Sequence, residues 1–216
     1  MTRRAVTVEQ NFPDIDTSEL FTGCRWGGMA LRLPPTGMAT ATFELQARDG
    51  NLLTGSAAPY FTAPAPQTTT GILAAVNGSI RVFGQERATI TGLDFTINLG
   101  LSAQPVVGTN FVPDIFYGVT NISGNLSAFF DSPDLALAFQ DEAEFEIAGV
   151  FEASQGTPKD FMAFIMPRVK MSGQSKTIGA DGGVILNFPF QALKKEPTSG
   201  EPADATTLTI QSSAAL

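Results

Sequence analysis

The stretch that most narrows the folds open to this chain is Val119–Glu152, VTNISGNLSAFFDSPDLALAFQDEAEFEIAGVFE, which reads as strand, short helix, strand. Ile122, Leu126, Ala128 and Phe130 alternate with Ser123, Asn125, Ser127 and Asp131, the period of a half-buried strand. Asp131-Ser132-Pro133-Asp134 then has the composition of a helix start, with Ser132 as N-cap, Pro133 at the first helical position and Asp134 complementing the helix dipole. Leu135–Phe139 supplies a compact apolar turn or two. From Glu144 the period returns to two, with Phe145, Ile147 and Phe151 set against Glu144, Glu146 and Glu152. No residue in the unit is reactive; its chemistry is that of packing and of sheet edges.

The same alternation recurs along the chain. In Met38–Arg48, Ala39, Ala41, Phe43, Leu45 and Ala47 face one way and Thr40, Thr42, Glu44, Gln46 and Arg48 the other. With the apolar Arg25–Leu33 before it and the turn Pro34-Pro35-Thr36-Gly37 between, this predicts an antiparallel hairpin with one dry and one wet face. Ile80–Phe83, Thr89–Leu101, Val184–Leu193 and Thr206–Ser212 are further predicted strands. Asp160–Met171 is nearly continuous apolar sequence, and Pro167 with the flanking turns favours a strand with an edge or bulge over a helix. GQSKTIGADGG reads as the connection after it. Residues 1–20 are mixed and polar, an expected mobile or docking arm. Residues 21–216 are expected as one domain, interrupted by a long Gly-, Pro- and Thr-rich loop over 49–87 and a polar loop over 194–205. The predicted fold class is all-β with one short helix, an antiparallel β-sandwich.

Composition closes off several functions. The 216 residues include no histidine, which removes Ser-His-Asp and Cys-His catalysis and the usual His-containing zinc sites. The acidic group Asp141, Glu142, Glu144 and Glu146 is accounted for by a solvated strand face or turn. The one cysteine, Cys24, forms no internal disulfide and is expected as a small buried residue. A net charge of −8 without a Lys/Arg cluster argues against adhesive nucleic-acid binding. No apolar run reaches the about 20 residues of a membrane-spanning helix, and no secretion leader is visible. Tyr60, Tyr117 and Trp26 are too few and too scattered for the aromatic platforms of a sugar-binding module, and Trp26 reads as a core or interface anchor. FELQA at Phe43–Ala47 echoes FPFQA at Phe188–Ala192, and ITGLDF at Ile90–Phe95 echoes ISGNLS at Ile122–Ser127, a pattern of two related halves.

Three segments in this order, FTGCRWGGMALRLPPTGMATATFELQARDG (Phe21–Gly50), ATITGLDF through FFDSPDLALAFQDE (Ala88–Glu142) and KTIGADGGVILNFPFQAL (Lys176–Leu193), resemble the tail tube proteins of long-tailed, siphovirus-type bacteriophages. The resemblance implies a β-sandwich whose copies form rings, six to a ring, with inner strands joined into an inter-subunit β-barrel that leaves no free edges. It implies a virion tail protein made in the bacterial host cytoplasm, no cofactor and no enzymatic activity. Its implied partners are further copies of itself and the tape measure, tail terminator and tail-tip or hub proteins, with DNA passing through the lumen during ejection and no membrane contact. On this reading the echoing hairpins Arg25–Arg48 and Phe161–Ala192 form the inner sheet, and Thr40, Thr42, Glu44, Gln46 and Gln191 face the lumen. Trp26, Phe43, Phe95, Phe129, Phe130 and Phe188 are the expected core or interface residues, and the arm and the loop over 50–78 the expected contacts between rings. The alternative reading is another capsid-associated sandwich, a head decoration or head–tail connector protein.

Overall fold

The computed structural model describes residues 4–66, 73–87, 89–156, 159–178, 183–196 and 206–213. The chain divides into two compact units: one comprises Met1–Met29, Phe43–Thr68 and Asn98–Thr120, the other Ala30–Thr42, Thr69–Ile97 and Asn121–Leu216. Strands β2 (Thr17–Leu33) and β3 (Thr40–Gln46), which pair with each other, run through both.

In the first unit β2 lies between β1 (Val6–Phe12) and β4 (Asp49–Thr54), antiparallel to each, with Phe12 and Thr54 both opposite Thr17. Residues 6–12, within the stretch expected as an arm, are thus a paired strand, and residues 49–54 of the expected long loop are another. A 3-10 turn, Gly55–Ala57, follows β4. The loop after it is tied to β1, because the Glu9 carboxylate accepts the backbone N–H groups of Tyr60 (2.7 Å) and Phe61 (2.9 Å). These bonds, that of Phe61 foremost, hold the Glu9 carboxyl below its ordinary range.

In the second unit β5 (Leu73–Val82), β6 (Gln85–Glu86), β7 (Ile90–Asn98), β10 (Asn121–Phe129), β11 (Glu144–Gly156), β12 (Lys159–Met171) and β14 (Val184–Ala192) form one sheet in the order β7-β10-β14-β12-β11-β5-β6. Two short strands join it: β13 (Ser175–Ile178) on β14 and β15 (Thr209–Ser212) on β12. The remaining strands, β8 (Ser102–Ala103) and β9 (Ile115–Phe116), pair in the first unit. Within each unit these described strands pair antiparallel. The sheet folds back on itself as a sandwich: the Phe95 ring of β7 meets the Phe164 ring of β12 edge-on at 5.5 Å, although β10 and β14 lie between those strands in the sheet. Leu93, Phe95, Leu126, Ile147, Met166, Leu186 and Phe188 are the largest fully buried side chains of this core.

The strand, helix, strand unit is as expected, β10, α1 (Asp134–Gln140) and β11. Two details differ. Pro133, not Ser132, occupies the N-cap, and no side chain caps the helix; the Asp134 carboxylate instead meets Arg87 at 2.9 Å, which holds its carboxyl low. And Phe130, expected in the core, is 43% exposed. The strand ends one residue earlier, where Phe130 donates its N–H to the Val184 carbonyl and the chain turns, so the ring leaves the buried row of Ile122, Leu126 and Ala128 and lies under the Lys176 ammonium at 4.8 Å.

Other expectations are settled by pairing. Asp160–Met171 is a strand, and Pro167 sits where β12 gains a residue against β11, between the Phe145–Val169 and Ile147–Met166 pairs. The connection GQSKTIGADGG contains a strand, β13. Residues 197–205 of the expected polar loop lie outside the described residues. The β5–β6 hairpin turns on Phe83 (φ 57°) and Gly84 (φ 72°), a two-residue turn with both residues left-handed, and the strained Phe83 is held by stacking on Phe145 at 4.5 Å.

Candidate functional site

The chemistry of the second unit's sheet is set by its period-two alternation. On β7 Asp94 and Thr96 point away from the core that holds Leu93 and Phe95. On β10 Ser123, Asn125 and Ser127 oppose Ile122, Leu126 and Ala128, and on β14 Asn187, Pro189 and Gln191 oppose Leu186, Phe188 and Phe190. The register aligns the outward residues into rows, Ser123 opposite Gln191, Asn125 opposite Pro189 and Ser127 opposite Asn187. They bond to one another: Ser127 Oγ donates to Asn187 Oδ1 at 2.7 Å, Asn125 Nδ2 to Ser127 Oγ at 3.2 Å, and Gln191 Nε2 to Asn121 Oδ1 at 3.1 Å. Thr40, Thr42 and Arg32 join Asp94, Thr96, Ser123, Asn125 and Ser172 around an open groove of ≈ 730 Å³. Among the described residues that line it, Arg32 and Asp94 are the charged ones, of opposite sign. The face is a field of hydroxyls and amides over an apolar core.

The residues singled out from sequence therefore separate. Thr40 and Thr42 stand on this groove, and Gln191 is the cross-strand partner of its wall residue Ser123. Glu44 and Gln46 belong to the first unit. Of the expected core or interface residues, Phe95 (1%) and Phe188 (0%) are core. Trp26, Phe43 and Phe129 are exposed, as is Phe130. The expected dry face of β3 is not dry: Phe43 is 53% and Leu45 38% exposed, because among the described residues no element covers either face of the strand, and the Phe43 ring meets the edge of Trp26 at 5.1 Å. Cys24 is buried as expected. Ser123, Asn125 and Thr96 were already legible as the wet positions of their strands, but only the strand order β7-β10-β14 makes them one surface.

The acidic group of 141–146 is used in ion pairs. Glu144 takes a two-pronged bond from Arg168, and Glu142 meets Lys170 at 2.8 Å. The hydrogen bonds from Lys170 to Glu142 and from Arg168 to Glu144 hold both carboxyls below their ordinary range. A further ion pair was invisible in the sequence. Arg25, 9% exposed, donates to the Ile115 carbonyl and meets Asp114 Oδ1 at 2.6 Å, 89 residues away.

Among the described residues no group of His, Cys, Asp and Glu could hold a metal ion, and no helix is long and apolar enough to cross a membrane. What the arrangement offers is surface: a neutral polar sheet face and exposed aromatic side chains. A search of curated proteins found no match. A family model described as phage tail tube protein matches residues 2–192, nearly the whole chain, in keeping with the antiparallel architecture and the polar face. This chain belongs to the phage tail tube protein family, the structural proteins of the viral tail.

Proposed function

We propose that copies of this chain close into rings, six to a ring, that the rings stack into the tail tube, and that DNA leaves the virion through the lumen. The observation that carries this reading is the neutral polar face of β7, β10 and β14 with Thr40 and Thr42 beside it. A conduit for DNA needs a wetted wall that does not grip phosphates. Hydroxyls and amides supply that, whereas a row of Lys and Arg would bind through counterion release. The net charge of −8 works in the same direction, since an acidic protein repels the duplex. Exposed Trp26, Phe43 and Leu45 on the β2–β3 hairpin are apolar surface that a neighbouring copy would cover. Tape measure, terminator and tail-tip proteins are the further partners of such a tube.

Negative-stain electron microscopy of the concentrated protein tests the assembly, and hollow rings or tubes are the expected image. The wall is tested with tails assembled from the Thr42→Lys/Gln191→Lys variant, which should form and should release DNA more slowly than wild-type tails. Ejection at the wild-type rate would remove this face from the lumen.

A further inference from the structure

The excursion Leu99–Gly118 of the first unit is pinned along both limbs and bare at its tip. The Leu99 N–H donates to the Gly27 carbonyl at 2.8 Å, and the Gly118 N–H reaches back to the carbonyls of Leu99 (3.2 Å) and Gly100 (3.0 Å), closing the neck. Above the neck β8 pairs with β9. The returning limb is held by two arginines. Arg48 accepts the Val112 N–H on its carbonyl at 3.0 Å and donates Nε to the Val112 carbonyl at 3.1 Å. The buried Arg25 binds Asp114 and the Ile115 carbonyl. A guanidinium on a backbone carbonyl fixes the limb as well as neutralising the acid.

Beyond these clasps, residues 104–111 are all exposed. The tip is apolar where loop tips are ordinarily polar. Val107 is as exposed as in an isolated peptide (105%), Val106 is 45% and Phe111 44% exposed. From Leu99 to Pro113 there is no charged residue, in a chain that carries −8. A fixed apolar tip loses little conformational entropy on docking, so its contact area converts efficiently into affinity. Its lack of cations disfavours nucleic acid as the occupant. Its neutrality favours the chain itself, because two acidic copies repel least where neither presents charge.

We infer that the Leu99–Gly118 loop is a preformed knob, tipped by Val106 and Val107, that seats in an apolar recess of a second copy of this chain. The inference rests on the self-assembly proposed above, and the experiment separates the two. Wild-type protein and the Val106→Ser/Val107→Ser variant are concentrated in ammonium sulfate and followed by sedimentation velocity and electron microscopy, with melting measured alongside. The expected result is an unchanged melting temperature, since both positions are surface, and a rise of about tenfold or more in the concentration needed for assembly, from the loss of two buried apolar contacts. A p-benzoylphenylalanine placed at Val107 should then give a photo-adduct at twice the chain mass in assembled wild-type background. Equal assembly of the two proteins, or photo-adducts with anything other than the chain itself, overturns the knob and leaves the tube reading standing. A wild-type protein that stays monomeric under all these conditions overturns both.

Discussion

Gly124 is the position where one added carbon has the most calculable consequence. It lies on β10 opposite Phe190 of β14, with its Cα hydrogens toward the core. A Cβ there would fall inside contact of the Asp94 carbonyl oxygen, 2.5 Å from the tip of the Phe190 ring and 2.9 Å from Phe95 Cβ. Ordinary carbon contacts begin near 3.4 Å, so the overlap is about 1 Å. Two of the three obstacles are backbone or Cβ atoms of β7 and cannot rotate away, and the third is a ring only 2% exposed, packed among core side chains. Relief requires β7 and β10 to part. Overpacking of this kind costs about 1–3 kcal/mol, and backbone obstacles place it near the top of that range. Alanine's smaller loss of chain entropy returns about 0.5 kcal/mol, leaving a net loss of about 2.5 kcal/mol. For a chain of 216 residues, with an unfolding entropy of about 2.1 cal/mol/K per residue, that corresponds to a fall of about 5–6 °C in Tm. Gly84→Ala is the matched control. Nothing lies within 4 Å of its Cβ position, and only the left-handed φ of 72° penalises it, about 1 kcal/mol or about 2 °C. Both are read by thermal and urea unfolding followed by circular dichroism. A Gly124→Ala protein as stable as the Gly84→Ala protein would show that β10 is not packed against β7 and Phe190 in this way.

Phe188→Ala should cost about 3–5 kcal/mol, because the ring is fully buried, whereas Phe130→Asp should cost under about 1 kcal/mol; reversed magnitudes in urea melts would exchange their assignments to core and surface. Asp114→Ala strands the buried Arg25 cation and should destabilise by about 3 kcal/mol, more than Arg25→Met, which leaves a carboxylate that is one-third exposed and can turn to water; equal losses would contradict the asymmetry. Glu9, Glu142 and Glu144 have folded-state pKa values below their unfolded value of 4.5. Their contribution is therefore present above pH 4.5 and disappears as pH falls through the lower folded values, so Tm should drop across that acid window and Glu9→Gln should flatten the part due to the Tyr60–Phe61 loop. A Tm profile of Glu9→Gln that parallels wild type down to pH 3 would rule the clip out as a contributor.

Much of the local structure was written in the sequence, because a strand's signature is local. The alternations of Thr89–Leu101, Ile122–Asp131 and Val184–Leu193 announced β7, β10 and β14, each running one to three residues past an observed end, and also which of their residues are wet, and the Pro133-Asp134 start placed the helix within a residue. Alternation says that two faces differ; it does not say what covers either one. That is why β3, with a pattern as regular as any in the chain, carries Phe43 and Leu45 in the open, while the echoing FPFQA of β14 buries Phe188 completely. It is also why Phe130 kept the period of its strand and yet left the core, since the strand stops where a backbone bond to Val184 turns the chain.

The polar surface falls between these cases. Each wet residue was legible on its own strand, but four of the five expected lumen residues, Thr40, Thr42, Glu44 and Gln46, lie on one strand, with Gln191 alone from a distant one, because a sequence displays neighbours along the chain and not across the sheet. Pairing of β7 with β10, and of β10 with β14 across some sixty residues, is what sets Thr96, Ser123, Asn125 and Gln191 on one face. The same holds for Arg25 and Asp114, which are ordinary charges in the sequence and become the clasp of a loop only when the fold brings residues 114–115 within reach of the Arg25 guanidinium. Composition and periodicity determined an all-β chain with a wet and a dry side to most strands and no histidine. Tertiary structure decided which wet sides share a surface and which apolar sides stay uncovered, because both depend on contacts between residues far apart along the chain.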